Sequence, residues 1–256
     1  MRIGAKEFDL ENEFYVMGIL NVTPDSFSDG GRYNDLDHAL QQAERMVEEG
    51  AAILDVGGES TRPNHIKISS EEEIERVCPV IEALKQRFDV PVSLDTYKSD
   101  VAVAGIEAGA DLLNDIWGLK WDGTMAKVIA DAGIACCLMH NRREKVYNDL
   151  VEDVLNDLRE CVDLALAAGI AKDKIMLDPG IGFAKDLDQN LSVMKHIGRI
   201  KELGYPILLG TSRKSMIGLT LDLPVSEREE GTLATSIIGL MEGCSVFRVH
   251  DVKTNM

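Results

Sequence analysis

IACCLMH, residues 134–140, is six apolar residues closed by a histidine. Apolar runs of this kind, without polar alternation, read as parallel strands covered on both faces. The pattern recurs along the chain: VMGILN ends at Asn21, AAILDV reaches Asp55, PVSLD ends at Asp95 and LLND at Asn114 and Asp115. KIMLD then ends at Asp178, PILLGTS at Ser212 and SVFRVH at His250, which makes eight runs. Seven of the intervals hold an amphipathic, helix-like segment. Strands alternating with helices are βαβ units. Eight of them predict an α/β TIM (β/α)8 barrel, whose chemistry sits at the C-terminal ends of its strands. Those ends carry the most distinctive polar residues of the chain.

The 256 residues match the roughly 250 of one such barrel. No linker or low-complexity tract interrupts them, so residues 1–256 read as a single domain. The strands are predicted at Tyr15–Asn21, Ala51–Val56, Val90–Asp95, Asp111–Asp115, Ile134–His140, Lys174–Asp178, Pro206–Gly210 and Ser245–His250. Residues 2–15 read as an N-terminal β-hairpin that turns near Glu11-Asn12 and plugs the barrel's bottom. Ser69-Ser70 with Glu72-Glu73 cap a helix running to Phe88. A second helix covers Asn148–Ala168, with Gly169 just beyond it, and a third covers Ser226–Met241. Only Asp251–Met256 follow the eighth strand, so the last helix is expected to be missing or truncated, leaving an apolar strip exposed between the first and seventh barrel helices.

A net charge of −17 argues against nucleic-acid and anionic-membrane partners. The N-terminus lacks the long apolar region of a signal peptide, and no apolar run approaches a membrane span. Five cysteines without CxxC spacing read as small buried hydrophobes in a reducing cytoplasm. An acidic protein that binds an anionic substrate must gather its cations locally. Arg62, Arg213, Lys214 and Arg248 all lie at or just beyond strand ends.

Four stretches carry chemistry. NVTPDSFSDGGRYN (21–34) is a long, turn-rich loop suited to a lid. DVGGESTRP (55–63) sets hydroxyls and an arginine beside two glycines, donors fit for pyrophosphate; Asp55 or Glu59 can equally form a structural ion pair. GTSRKSMIG (210–218) brackets hydroxyls and cations at a helix start, which suits an anion, while a Schiff-base role for Lys214 has weaker support. FRVHD (247–251) places Arg248 and His250 on one face, His250 as a switchable base or a satisfied core histidine. Asp95, Asn114 and Asp178 end three strands at the same mouth. A ligand edge with several N–H donors and C=O acceptors, such as a 2-aminopyrimidinone, satisfies all three.

GILNVTPDSFSDGG, DVGGESTRP, SLDTYK, NDIWGL, LDPGIGF, GTSRKSMIG and RVHDV together resemble bacterial dihydropteroate synthase, in order, from Tyr15 to Lys253. The resemblance implies a pterin ring held by Asp95, Asn114 and Asp178, with Lys214 beside it. It implies a pyrophosphate bound by Thr61, Arg62, Arg248 and His250. Mg²⁺ would sit on Asn21, with Asp29 arriving from the loop. Phe183, Pro63, Arg213 and Ser215 would line the p-aminobenzoate site that sulfonamides occupy, and the family is typically homodimeric. The family's long loop after the fifth strand looks shortened here, with His140–Glu144 leading quickly into helix. Two rival readings are a pterin-dependent methyltransferase domain, which would want a corrinoid partner, and a non-catalytic pterin-binding protein.

Overall fold

The computed structural model describes residues 1–23, 32–60 and 67–256. Eight strands form one parallel sheet: β3 (Tyr15–Asn21), β4 (Ile53–Gly57), β5 (Val92–Asp95), β6 (Leu112–Asp115), β7 (Ala135–Met139), β8 (Ile175–Asp178), β9 (Leu208–Leu209) and β10 (Val246–Val249). They run in spatial order from β3 through β8 on one side and from β3 through β10 to β9 on the other. A parallel bridge between Leu177 and Ile207 joins β8 to β9 and closes the TIM barrel. The seventh strand is shorter than the sequence predicts, two residues rather than five.

The outer ring is α1 (Arg32–Glu48), α2 (Ser70–Arg87), α3 (Ser99–Glu107), α4 (Met125–Ala132), α5 (Leu150–Ala167), α6 (Leu187–Lys195), α7 (Ser215–Leu221), α8 (Glu229–Met241) and α9 (Val252–Asn255). Ser69 caps α2 as its sequence predicts, accepting from the Glu72 amide at 3.2 Å. α5 starts two residues later than predicted because Asp149, not Asn148, is its cap. The loop before it, 140–149, is therefore longer than the sequence suggests, and Arg142 ties it to Asp157 of α5 at 2.5 Å.

Two expectations are corrected. The hairpin of β1 (Arg2–Ile3) and β2 (Lys6–Glu7) turns at Gly4-Ala5 rather than at Glu11-Asn12. Gly4 supplies the positive φ (+58°) that a two-residue connection needs. Residues 9–12 do turn, but around the Asp9 carboxylate, which accepts from the Glu11 and Asn12 amides. At the other end the last helix is short, as expected, a single turn α9, but the strip beside α1 is not left open. Val252 is fully buried there, against β3 and Met46 of α1. Asn255 bonds Ser236 of α8 at 3.0 Å. The groove beside α1 is thus filled. Exposed apolar side chains, Leu219, Leu221, Ile237, Ile238 and Met241, remain on α7, at its end and on α8, the seventh helical position of the ring.

The hairpin plugs the barrel as predicted. Ile3 and Phe8 pack with Met17, Ile53, Leu112, Cys137, Met176, Leu208 and Val246, all buried in the lower lumen. A larger apolar cluster fills the space between strands and helices. The lower lumen supports the upper lumen, where the charges are.

Candidate active site

Arg248 stands in the upper lumen between two carboxylates. Its Nε donates to Asp55 and its Nη2 to Asp95, both at 2.6 Å. Asn114 adds a long bond of 3.4 Å to the same Asp55 oxygen. Asp55 is fully buried, and Asp95, Asn114 and Asp178 nearly so. Two carboxylates share one guanidinium here, so the lumen carries surplus negative charge. Burial, reinforced by Asp55, pushes the Asp95 carboxyl well above the usual carboxylate range although Arg248 opposes it. Burial raises Asp178 as well, against the Gly180 amide that donates to it at 2.7 Å. One oxygen of Asp55 and one of Asp95 (Oδ1 in each) are buried without a hydrogen-bond partner among the described residues. Leaving such acceptors unpaired costs roughly 1–3 kcal/mol each, so the geometry asks for N–H donors from a ligand.

Lys214 caps the lumen from the N-terminus of α7. Its Nζ donates to the Ile181 carbonyl at 2.5 Å and lies 4.2 Å from the centre of the Phe183 ring. Burial pulls its ammonium down to about 8, against Asp178 and Asp95. The neighbouring rim residues are pinned. Arg213, at a left-handed φ of +56°, makes a forked pair with Asp251 at 2.6–3.0 Å. The Ser212 hydroxyl lies 2.9 Å from His250 Nδ1 and accepts from the His250 amide at 3.1 Å. Ser215 is exposed at the first turn of α7.

The turn from Asp178 to Lys185 carries the Phe183 ring and is held from beneath by His140, which ends the fifth strand's apolar run, and by Lys185 and Asp157, which nothing in the sequence singles out. Lys185 is buried, and its Nζ meets His140 Nδ1 at 2.8 Å, the Gly180 carbonyl at 3.0 Å and the Phe183 carbonyl at 3.1 Å. His140 Nε2 in turn lies 3.0 Å from Asp157. Burial lowers Lys185 to about 7 against Asp178, with Lys214 lowering it further. A second buried knot joins Glu59, Ile68 and Glu73. Lys98 bonds Glu59 and Glu73 at 2.7 Å and the Ile68 carbonyl at 2.8 Å, while the Tyr97 hydroxyl donates to Glu59 at 2.8 Å. Both acidic positions weighed for structural ion pairs, Asp55 and Glu59, make them.

The structure thus brings Asp95, Asn114, Asp178, Phe183, Lys214 and Arg248 to one mouth. Arg213, Ser215 and His250 stand around it. Arg248, which the resemblance sets at the pyrophosphate, has two of its five N–H donors on lumen carboxylates. Thr61, Arg62, Pro63 and Asp29 lie outside the described residues, as does most of the loop read as a lid. Asn21 ends β3 beside Gly57 and Asp95: a Cβ on Gly57 would lie 3.6 Å from its amide oxygen. Among the described residues no three His, Cys, Asp or Glu side chains gather as a metal cluster. A hard amide oxygen nonetheless suits Mg²⁺, which takes few protein ligands when phosphate oxygens supply the rest.

A family described as "Pterin binding enzyme" matches residues 17–250. A dihydropteroate synthase of Clostridium beijerinckii is 60% identical over the whole chain and 95% of its own length. A crystal structure of dihydropteroate synthase from Clostridium difficile in the presence of pteroic acid superposes with a TM-score of 0.95 at 50% identity, covering 97% of this chain and 95% of that one. The Yersinia pestis dihydropteroate synthase with a sulfonamide drug complex gives 0.93 at 44% identity, over 100% of this chain and 94% of that one.

Proposed function

We propose roles for the rim residues on the premise that the chain belongs to the dihydropteroate synthases, a family of pterin-binding transferases. The enzyme condenses 6-hydroxymethyl-7,8-dihydropterin pyrophosphate with p-aminobenzoate and releases pyrophosphate. The observation that supports our assignment best is the pair of buried, unpartnered acceptors on Asp55 and Asp95 beside Asn114 and Asp178. A pterin edge offers N–H donors to the carboxylates and both donor and acceptor to the Asn114 amide. The ring then lies across the lumen with its methylene pointing to the rim.

At the rim the C–O bond to pyrophosphate breaks. Lys214 and the outward edge of Arg248, with Thr61, Arg62 and His250, take the charge that moves onto the leaving group. Mg²⁺ held at Asn21 and Asp29 would neutralise phosphate oxygens as that charge develops. The electron-rich pterin supports the cationic methylene, so the path is dissociative. The neutral aniline nitrogen of p-aminobenzoate, seated by Phe183, Pro63, Arg213 and Ser215, forms the new C–N bond and then loses its proton. No strong base is needed, because an aniline nitrogen is already neutral near neutral pH.

The same reading extends to assembly and place. Leu219, Leu221 and Met241 are 66%, 51% and 82% exposed on neighbouring elements, an apolar surface suited to a second copy. Five unpaired cysteines, four of them buried, support a reducing cytoplasm. Among the described residues no helix is long and apolar enough to cross a membrane. Pyrophosphate release is the test. Release that requires both substrates supports condensation at this rim. Release at the same rate without p-aminobenzoate would contradict it, and a monomer at assay concentration would contradict the dimer.

A further inference from the structure

Asp95, Asn114, Asp178 and Arg248 sit on strands and Lys214 at the start of α7, whereas the Phe183 ring is carried by the irregular backbone of the Asp178–Lys185 turn. Three of its carbonyls point at lysine ammoniums: Ile181 at Lys214 above, Gly180 and Phe183 at Lys185 below. The contact beneath is tight. A Cβ on Gly180 would sit 2.0 Å from the His140 carbonyl oxygen, and Gly180 holds a left-handed φ of +68°. Ala184 is left-handed as well, at +48°, and folds Lys185 back under the turn.

The partners of His140 fix its tautomer. The Asp157 carboxylate can only accept, so His140 Nε2 carries the hydrogen and Nδ1 accepts from Lys185 Nζ, which also donates to the two carbonyls. Burial holds the imidazole neutral, its pKa lowered to about 4 despite Asp157. Asp157 is paired in turn with Arg142, and Arg142 also donates to the Val146 carbonyl at 2.7 Å. Tyr147 from the same loop donates to the Ala184 carbonyl at 2.8 Å. One connected set of bonds therefore ties the 178–185 turn to the 140–149 loop through α5.

We propose that Lys185, seated through His140 and Asp157, is a positioning residue for the second substrate: it clamps the Gly180 and Phe183 carbonyls so that the Phe183 ring stays over the p-aminobenzoate seat. The proposal rests on the assignment of Phe183 to that seat. Asp178 belongs to a strand, and its carbonyl accepts from the His140 amide at 2.9 Å, so the base of the turn survives loss of the clamp while its tip shifts.

The measurement is steady-state kinetics with both substrates varied, on Lys185→Met, His140→Phe, His140→Gln and Phe183→Ala. Lys185→Met should raise KM for p-aminobenzoate at least tenfold and KM for the pterin pyrophosphate far less. If Lys185→Met does not fold, the histidine pair decides. His140→Phe removes the acceptor and should raise the same KM. His140→Gln presents an acceptor and a donor in place of Nδ1 and Nε2 and should restore it. A p-aminobenzoate KM near wild type in Lys185→Met or His140→Phe, with Phe183→Ala impaired, overturns the clamp alone. No effect in Phe183→Ala either overturns the seat assignment and the clamp with it.

Discussion

Ile53 and Asp55 are neighbours on one face of β4, yet they belong to different halves of the barrel. The same step of two residues separates Leu112 from Asn114, Met176 from Asp178, Leu208 from Gly210 and Val246 from Arg248. The first member of each pair is fully buried and packs with Ile3 and Phe8 of the plug. The second stands in the charged upper lumen; even Gly210 contributes, its open position lying 3.7 Å from Asp178 and 3.9 Å from the Arg248 side chain. The backbone register is continuous across the step. One turn of strand alternation thus separates a dry core from a site, and the difference lies in side-chain type alone. The lower half is apolar except at Ser93, two residues before Asp95, whose buried hydroxyl also lacks a partner among the described residues. The upper half keeps unpaired acceptors and a shared cation, the mark of a surface awaiting a ligand.

Substitutions on the two sides of that step should therefore separate activity from stability. The largest effects are expected from the cations. If Lys214 has the proposed role of stabilising charge on the leaving group, Lys214→Ala should lower kcat/KM by about 10²–10³ with little change in Tm, since the side chain is only half-buried. Arg248→Ala should lose a similar factor and also unfold more readily. It strands Asp55 and Asp95, and breaking a buried pair costs roughly 3–5 kcal/mol. Steady-state kinetics and thermal melts on both variants check this; a Lys214→Ala enzyme with near-full kcat/KM would remove Lys214 from the chemistry.

Ile53→Ala should show the opposite profile. A fully buried isoleucine cut to alanine costs about 2–5 kcal/mol, visible in denaturant titration, while kcat/KM per folded molecule stays unchanged. A loss of turnover beyond the unfolded fraction would mean that the lower lumen shapes the site directly.

A smaller effect is expected with pH. Burial lowers the His140 imidazole from 6.5 to about 4. Between those values the unfolded chain takes up a proton that the folded chain refuses, so stability should fall as pH drops through that window. His140→Gln should flatten that part of the profile in denaturant titrations at a series of pH values. An unchanged slope would place the titrating group elsewhere.

The barrel and the strand-end members of its rim were legible because each apolar run stops abruptly at a polar residue, although some of these, such as His140 and Asp115, hold Lys185 or neighbouring backbone amides instead. What was not legible depended on partners far away in the chain. Alternation turned Arg248 inward, but nothing local announced that Asp55, 193 positions earlier, would be waiting for it. Lys185 reads as an ordinary surface lysine before α6; only the left-handed Ala184 sends it into the interior. The hairpin turn was misplaced because the Asp9 carboxylate makes a convincing turn of its own at residues 9–12. The short α9 was unreadable as a ring member because one turn has no periodicity to detect, though Val252 buries as completely as any core residue.

The account rests on the upper lumen being a pterin seat and the lower lumen being core, and β8 carries both in Met176 and Asp178. The decisive measurement is calorimetric titration of 6-hydroxymethylpterin, without p-aminobenzoate, into the wild type, Asp178→Asn and Met176→Val. The account predicts that Asp178→Asn weakens binding by roughly 1–3 kcal/mol for each ring donor left unpaired, about tenfold or more in Kd. It predicts that Met176→Val lowers Tm and leaves the affinity alone. Unchanged pterin affinity in Asp178→Asn, or a loss as large in Met176→Val, would contradict the division of the barrel into core and site.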